Sequence, residues 1–326
     1  MIEIAAEKTS VSKGGNMRAI GILEAGGPEV LQIVELPAVH AGRNQLRIRI
    51  KAVAVNPVDT LLRAGKKFDQ TNTEPFIVGM DLAGHIDEIG PETKTDFDIG
   101  DRVIAMTLPG EGLGSYRENI VLPIDAVSPA PKTASLVEAS TLSMNALTAR
   151  QSLDQLGLTA GQTIGVTGAA GCYGGYVVQL AKAEGLRVIA DSSTEDKQLV
   201  TDLGADVVVP RGDDISEQIR NVVPEGVDGL ADGSVQNELS VGAIREGGSF
   251  ASVRYWGGTG ERDIKFHNTS VSDYFQRSDL LNELSKQVEE GILTLRVAET
   301  FSAEQATEAH KKLEAGGTRG RCVILL

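Results

Sequence analysis

From Thr163 onward, short runs of apolar and β-branched residues alternate with longer amphipathic stretches. Such runs predict buried strands, and the stretches between them predict connecting helices. The predicted strands are 163–167, 187–190, 206–209, 227–231 and 249–253. The predicted helices are 195–203, 215–223 and 236–245, the last ending before Gly247 and Gly248. This order is typical of an α/β fold with a doubly wound parallel sheet, whose edge we expect at the strand 249–253.

The pattern differs between residues 17 and 143. Apolar and polar residues alternate along 46–55, 81–90, 101–106 and 116–122, with Gly and Pro between the runs. Alternation of this kind predicts a mostly antiparallel, partly barrel-like β domain. After it and the α/β region comes a tail, which we expect to fold back onto the first domain. Its predicted elements are helix 273–290, strand 295–301, helix 303–315 and strand 322–326.

Composition and charge narrow the class of protein. The chain has 326 residues, enough for two domains, and its 45 acidic and 31 basic residues give a net charge of −14. This charge argues against nucleic acid or an anionic membrane as the main partner. The chain has no long apolar run and no apolar signal-peptide core near its start, so we expect a cytoplasmic protein. Two cysteines, Cys172 and Cys322, are too few for a disulfide framework.

The segment 163–191 carries the most specific motif. A strand pattern is followed by Gly168, Gly171 and Gly174, then by a helical pattern and a second strand. In this context the glycines let the main chain approach a pyrophosphate at a helix N-terminus, and the third lets the helix pack on the strand. We therefore predict a dinucleotide site. A glycine-rich turn in another kind of α/β protein is the alternative.

These patterns divide the chain into three parts. Residues 1–16 are polar and small, and they predict a flexible N-terminal extension. Residues 17–143 and 274–326 are predicted to form a β-rich catalytic domain, and residues 144–273 the dinucleotide-binding domain.

The chain resembles the medium-chain dehydrogenase/reductase superfamily over nearly all of residues 17–326, and within it the zinc-free quinone oxidoreductase, or zeta-crystallin-like, branch. The motifs that carry the resemblance are AVNPVDTLLRAG (54–65), PFIVGMDLAG (75–84), GDRVIAM (100–106), SMNALTARQSL (143–153), VTGAAGCYGGYVVQLAK (166–182) and TRGRCVIL (318–325). The resemblance implies a Rossmann-type domain beside a GroES-like catalytic domain.

Residue types at the metal positions of the zinc-dependent relatives indicate a reductase without metal. By the resemblance, Asn56 stands where those relatives have a cysteine, and Met80 and Asp81 stand where they have a His-Glu pair. Another cysteine of those relatives lies near the position of Leu142 or Ser143. None supplies the thiolate or imidazole that zinc prefers. The four histidines, 40, 85, 267 and 310, are scattered, and we interpret them as surface or satisfied polar residues. Without a Lewis acid, a conjugated acceptor such as a quinone or an α,β-unsaturated carbonyl is favoured, because it spreads the incoming charge.

Asn56 has two interpretations. The family motif places this asparagine in the active site, where it would polarise the acceptor oxygen or orient the nicotinamide ribose. Asn56 before Pro57 also reads as a helix N-cap with proline at the first helical position. Several quinone reductases carry a tyrosine later in this helix, whereas this chain has Leu61 and Lys67.

The cofactor is predicted from the end of the second α/β strand. By the family register, Ser192 stands where an acidic residue would bind an unmodified ribose. Ser193, Lys197 and Arg211 could then join it in donating to a 2′-phosphate, so we predict NADPH. If Asp191 rather than Ser192 meets the ribose, the preference reverses to NADH. Lys197 and Arg211 could also be ordinary solvated charges.

The resemblance implies the remaining site residues. A role in cofactor binding is implied for Asn145, Thr148, Gly168, Ala170, Gly171, Cys172, Tyr173, Gly174 and Val253. Contact with substrate is predicted for Leu61, Met80, Met144 and Trp256. Cys172 at a helix N-terminus could form a stabilised thiolate or serve as a small filler, and Trp256 could pack on a flat substrate or cover the loop.

Three functions stay open at this point. The first is a quinone or enone reductase, the second an enoyl-thioester or 2-alkenal reductase, and the third a non-catalytic NADPH-binding protein of the crystallin kind. We also expect a two-fold symmetric homodimer, because an edge strand near residues 248–253 would need a partner and the resembled family commonly pairs there.

Overall fold

The computed structural model describes residues 15–66 and 74–326. Most of the predicted extension 1–16, and Lys67, therefore lie outside the described residues. The chain divides into two compact units. The first unit runs to Ser143 and includes Phe275–Ser285 and Val297–Leu326, and the second comprises Met144–Tyr274 and Lys286–Arg296.

Strands and helices are labelled in chain order. The strands are β1 (Asn16–Ile22), β2 (Gln32–Pro37), β3 (Gln45–Ala54), β4 (Phe76–Ile77), β5 (Asp81–Ile89), β6 (Arg102–Met106), β7 (Asn119–Pro123), β8 (Val127–Pro129), β9 (Thr163–Thr167), β10 (Arg187–Ser192), β11 (Val207–Pro210), β12 (Val227–Asp232), β13 (Ile244–Ser252), β14 (Lys265–Asn268), β15 (Val297–Ser302) and β16 (Arg321–Leu325). The helices are α1 (Pro57–Arg63), α2 (Leu136–Ala139), α3 (Ser143–Leu156), α4 (Cys172–Ala183), α5 (Lys197–Asp202), α6 (Ile215–Val222), α7 (Glu238–Val241), α8 (Ser278–Glu289) and α9 (Ala306–Glu314).

The first unit is the β-rich part that the alternation predicts. Its seven-stranded sheet has the order β15-β16-β3-β5-β6-β8, and β7 also pairs with β3. Along β3, Leu46, Ile48 and Ile50 are fully buried, and the arginines between them are not. The antiparallel pairings of β3 with β5, β7 and β16 give the curled, partly barrel-like sheet. Strands β2, β1 and β4 form a second small sheet.

The second unit is a doubly wound parallel sheet of six strands in the order β11-β10-β9-β12-β13-β14. The strand order reverses its direction between β9 and β12. These two strands pair with each other in parallel, and β9 also pairs in parallel with β10. Ligands of such sheets bind outside the carboxyl ends of the strands at this reversal. Phe250 of β13 is fully buried in the core below, with Leu230 and Ile244.

Two predictions about the second unit are wrong, and the first concerns the edge of its sheet. Strand 249–253 is not the edge, because Phe250 pairs with Phe266 of a sixth strand, β14. The sequence KFHN in β14 is too short and too polar to read as a strand. We expected a homodimer partly because an edge strand at residues 248–253 would need a partner. That reason no longer applies, and the homodimer stays a prediction.

The predicted helix 236–245 is also wrong in extent. Only the four residues of α7 are helical, and β13 begins at Ile244. Val235 and Asn237 just before α7 have φ angles of 59° and 48°, so the chain cannot enter the helix at 236.

The tail returns to both units rather than to the first alone. Residues 286–296 belong to the second unit, although the sequence patterns assign all of 274–326 to the first. The reason is local hydrogen bonding: Gln179 in α4 donates to the Thr294 hydroxyl at 3.0 Å, and Arg296 bonds to the turn before α4. Within the described ranges, every helix is too short or too polar to span a membrane.

Candidate functional site

The glycine-rich turn joins β9 to α4 in the second unit. Gly168 has φ +68°, and a Cβ there would also lie 3.0 Å from the Gly233 carbonyl carbon. A Cβ on Gly174 would lie 2.4 Å from the Gly168 oxygen, so this glycine allows the helix to pack against the turn. Gly171 is the N-cap residue of α4. Gly168, Ala170 and Gly171 are partly exposed, and Cys172 and Tyr173 are buried in the first helical turn.

Asp191 of β10 lies beneath this turn. Its Oδ1 accepts hydrogen bonds from the Gly168 amide at 2.6 Å and the Ala169 amide at 3.2 Å. Only 1% of its surface is exposed, and this burial raises the pKa of Asp191 despite the two amides. Its Oδ2 lies 3.7 Å from Arg211 Nε. The carboxylate therefore binds the chain's own turn.

Asp232, at the end of β12, performs a similar task that the sequence analysis missed. It accepts the Thr167 hydroxyl at 2.6 Å through Oδ1, which also accepts the Gln236 amide at 3.1 Å. Its Oδ2 accepts the Asn237 amide at 2.8 Å. The position of an acidic residue at the end of a buried strand was the available signal. These bonds fix the loop after β12 to the strand that leads into the glycine-rich turn.

The predicted phosphate-binding residues come together at the carboxyl ends of β10 and β11. Ser192 pairs with Pro210, and the Arg211 amide donates to the Ser192 oxygen at 2.9 Å. Lys197 begins α5 and is exposed, and about half of the Arg211 side chain is exposed. The Ser193 hydroxyl donates to Asp196 at 2.9 Å. The Ser192 hydroxyl donates to the Ser193 oxygen at 2.8 Å, so the two cations are the groups at this edge that suit an anion.

Other predicted cofactor residues lie on α3 and α4. Asn145 and Thr148 are almost fully buried on α3, and the Thr148 hydroxyl donates to the Met144 oxygen at 2.6 Å. Tyr173 of α4 donates to the Ser152 hydroxyl at 2.8 Å, which ties the two helices together. Val253 follows β13 directly and is partly exposed. Binding roles for these side chains stay predictions.

Trp256 packs on the core of the second unit. Its ring makes edge contacts with Phe250 and Phe266 at centroid distances of 5.2 and 5.5 Å, and its indole N–H donates to Glu238 at 2.9 Å. These contacts agree with the interpretation that the Trp256 side chain covers the loop. Contact with substrate stays a prediction, as it does for Met144.

In the first unit, Asn56 is the N-cap residue of α1 and Pro57 occupies the first helical position. The Asn56 backbone amide donates to Asp59 Oδ2 at 2.8 Å, and its side-chain amide donates to Asp81 Oδ2 at 2.8 Å. All three side chains are fully buried. The cap interpretation is confirmed, and the Asn56 amide is fixed in orientation by a carboxylate. Leu61 on α1 is partly exposed, and Met80 beside Asp81 is buried.

Burial raises the pKa of Asp59 from 3.8 to about 8, since it outweighs the backbone hydrogen bond from Asn56. The neighbouring Asp81 carboxylate raises it further, whereas Arg321 lowers it. Asp59 is therefore largely protonated at neutral pH.

The histidines are all hydrogen-bonded side chains. His310 lies between Arg63 and Tyr116, at 3.2 Å from each, and its burial lowers its pKa to about 3. His40 contacts Glu88, His85 contacts the Gly100 oxygen, and His267 contacts Ser249. Across residues 15–66 and 74–326, His, Cys, Asp and Glu form no group that could hold a metal ion. An amide bound to a buried carboxylate is also not a donor set that zinc prefers.

Known proteins are similar to this chain in sequence and fold. Residues 42–132 match the family model "Alcohol dehydrogenase GroES-like domain", and residues 203–324 match "Zinc-binding dehydrogenase". A 2-methylene-furan-3-one reductase of Solanum lycopersicum is 30% identical over 98% of this chain and 82% of its own length. A quinone oxidoreductase of Mus musculus is 29% identical over 95% of this chain and 98% of its own. A mycobacterial protein solved in complex with NADPH is 27% identical, with a TM-score of 0.81 over 95% of this chain and all of that one.

Protonation of Asp59 predicts how stability depends on pH. Its folded pKa lies above the unfolded value, so its contribution is complete below about pH 4 and is lost as pH rises through about 8. Between these values the free energy of unfolding should fall by up to about 1.4 kcal/mol per pH unit from this group. Asp59→Asn, which mimics the protonated form, should remove that slope in urea denaturation at a series of pH values.

Asp96→Asn, at an exposed position of the same unit, is the control and should keep the wild-type slope. An unchanged slope in Asp59→Asn would show that Asp59 is ionised in the folded protein.

Proposed function

Because the chain belongs to the medium-chain dehydrogenase/reductase superfamily, as a quinone oxidoreductase-type member, we propose that it reduces a conjugated acceptor with NADPH and without zinc. The acceptor is a quinone or an α,β-unsaturated carbonyl. The names of its relatives support both classes, since one is a quinone oxidoreductase and another reduces an enone.

The observation that carries this proposal is the glycine-rich turn at the point where the strand order reverses. The small residues Gly168, Ala170 and Gly171 leave room for a pyrophosphate, and α4 is long enough to present a dipole at its N-terminus. The residues present therefore fit a dinucleotide. When bound, NADPH supplies the hydride.

NADPH is favoured over NADH by the surroundings of the ribose position. Asp191 accepts two turn amides with Oδ1, and its Oδ2, which accepts no hydrogen bond within the described part of the chain, lies 3.7 Å from Arg211 Nε. Ser192, Lys197 and Arg211 would then bind the 2′-phosphate. Ser193 would assist them from the same edge of the sheet.

Zinc independence is proposed from the donor set of the first unit. Asn56 and Asp81 bond to one another at the positions where the zinc-dependent relatives bind metal. Without a Lewis acid, hydride transfer is easiest to a conjugated acceptor, whose charge can be held by hydrogen-bond donors. We propose that Asn56, held by Asp81, is one of those donors. Leu61 and Met80 would supply apolar contacts to the substrate in the same unit.

A panel of acceptors tests the reaction class. We expect NADPH oxidation with quinones or with α,β-unsaturated ketones to exceed that with saturated aldehydes by at least about a hundredfold in kcat/KM, equivalent to about 2.7 kcal/mol. Absorbance at 340 nm measures it. Preference for enoyl-CoA would instead indicate a thioester reductase. Tight NADPH binding without turnover of any acceptor would indicate a non-catalytic protein.

The phosphate site predicts a selective loss. Arg211→Gln should lower kcat/KM for NADPH by about tenfold, because a charge-assisted hydrogen bond contributes roughly 1.5–3 kcal/mol. The value for NADH should stay the same or rise. Arg187→Gln, at an exposed position where β10 begins, should change neither. A wild-type protein that prefers NADH would contradict the assignment.

The proposed donor predicts a loss in the chemical step. Asn56→Ala should lower kcat by about ten- to a hundredfold with KM for NADPH unchanged, since a donor that acts on developing charge is lost. Asp81→Asn should give a smaller decrease, because Asn56 keeps a side-chain partner. A folded Asn56→Ala protein, verified by thermal denaturation, with wild-type kcat would leave Asn56 only its role as helix cap.

A further inference from the structure

Arg296 reaches the glycine-rich turn from the tail segment 286–296. Its Nη1 donates to the Ala170 oxygen at 3.0 Å, and its Nη2 donates to the Gly171 oxygen at 2.7 Å. Thr294, two residues earlier, is hydrogen-bonded to Gln179 in the next turn of α4. These bonds hold the segment 286–296 along α4 and place the Arg296 guanidinium at the turn.

These two bonds set which way the turn's amides face, together with the helical bond from the Gly175 amide to the Gly171 oxygen at 2.9 Å. In a planar trans peptide, the N–H of one residue points opposite to the C=O of the residue before it. Holding the carbonyl groups of Ala170 and Gly171 toward Arg296 therefore directs the amides of Gly171 and Cys172 away from it. The Gly171 amide closes the turn on the Gly168 oxygen at 2.9 Å, and Cys172 is the first residue of α4.

Gly175 provides the space that Arg296 occupies. A Cβ on Gly175 would lie 2.5 Å from Arg296 Nη2, closer than unbonded atoms approach. Gly175 lies inside α4 with helical geometry, where glycine costs about 1 kcal/mol relative to alanine. Gly175 thus weakens the helix, but a larger residue at this position would displace Arg296.

We propose that Arg296 is a positioning residue for the cofactor pyrophosphate. By holding two turn carbonyls, it aims the first amide of α4 at the anion, and its charge adds to the positive end of the helix. Gly175 belongs to the same device, because it admits the guanidinium. The proposal rests on the proposed NADPH function.

Four proteins test it by calorimetric binding of NADPH: Arg296→Gln, Arg296→Lys, Gly175→Ala, and the double variant Arg296→Gln/Gly175→Ala. Arg296→Gln and Gly175→Ala should each raise the Kd about tenfold. Lysine keeps the charge but not the two-pronged contact, so Arg296→Lys should recover only part of the affinity. The double variant should bind no worse than Arg296→Gln, because both changes remove one interaction.

Two readouts separate positioning from general damage. Adenosine 2′-monophosphate lacks the pyrophosphate, so its Kd should be unchanged in every variant. In steady-state kinetics, KM for NADPH should rise while kcat at saturating NADPH stays at the wild-type value. Gly175→Ala should also be at least as heat-stable as wild type, because alanine favours the helix.

Arg220→Gln is the matched control. Arg220 also binds backbone oxygens in the second unit, those of Pro224, Gly242 and Ile244, but at the strand ends opposite the turn. Its loss should leave the Kd for NADPH unchanged. Wild-type affinity in Arg296→Gln, or equal weakening of NADPH and adenosine 2′-monophosphate, would overturn the proposal. A wild-type protein that binds neither NADPH nor NADH would overturn the proposed function as well.

Discussion

The glycine-rich turn is held from two sides by opposite charges. The buried Asp191 carboxylate accepts the amides of Gly168 and Ala169, and the Arg296 guanidinium donates to the oxygens of Ala170 and Gly171. The turn has little side chain of its own, so these two side chains supplement its backbone hydrogen bonds. Each backbone group that the carboxylate and guanidinium bind has its partner inside the protein, and the rest of the turn is left to face a ligand. The site on the second unit depends on this arrangement.

The first unit contains a different solution to burying polar groups. Asn56, Asp59 and Asp81 form a compact cluster with no exposed surface, in which the Asn56 backbone amide donates to Asp59 and its side-chain amide donates to Asp81. Burial disfavours the ionised form and raises the pKa of Asp59, and the nearby Asp81 carboxylate raises it further. The Asp59 carboxyl is largely neutral, and the Asp81 carboxyl accepts the hydrogen bond from the Asn56 side-chain amide. The cluster thus keeps Asn56 in place.

The sequence predicted the features that depend on local patterns. Strands β9, β10 and β12 were found within a few residues because each is a buried apolar run between turn signals. Strand β14 was missed because four residues with one phenylalanine carry no periodicity, and only pairing with β13 makes them a strand. Helix 236–245 was overestimated because Asp232 draws the preceding loop back to β12.

The site was predicted unevenly for the same reason. Glycines at fixed spacing identify the turn, so Gly168 and Gly174 could be found from the sequence, and their tight packing is confirmed. The choice between Ser192 and Asp191 at the ribose stays a prediction, and the contacts of Asp191 with the turn amides could not be read from the sequence. Arg296 could not be found, because it lies 125 residues beyond Gly171 and follows no motif.

The return of the tail also affects the order in which the second unit is completed. All six strands of the parallel sheet end by Asn268, so they leave the ribosome before residues 286–296 do. Until then the turn has its aspartate but not its arginine. Because domains begin to fold during synthesis, the sheet can assemble first, and the carbonyl side of its nucleotide turn becomes ordered only after the chain has passed through part of the other unit. Neither unit is one continuous stretch of the gene product, so a fragment cut at Tyr274 would keep the whole sheet and lose the arginine that holds its turn.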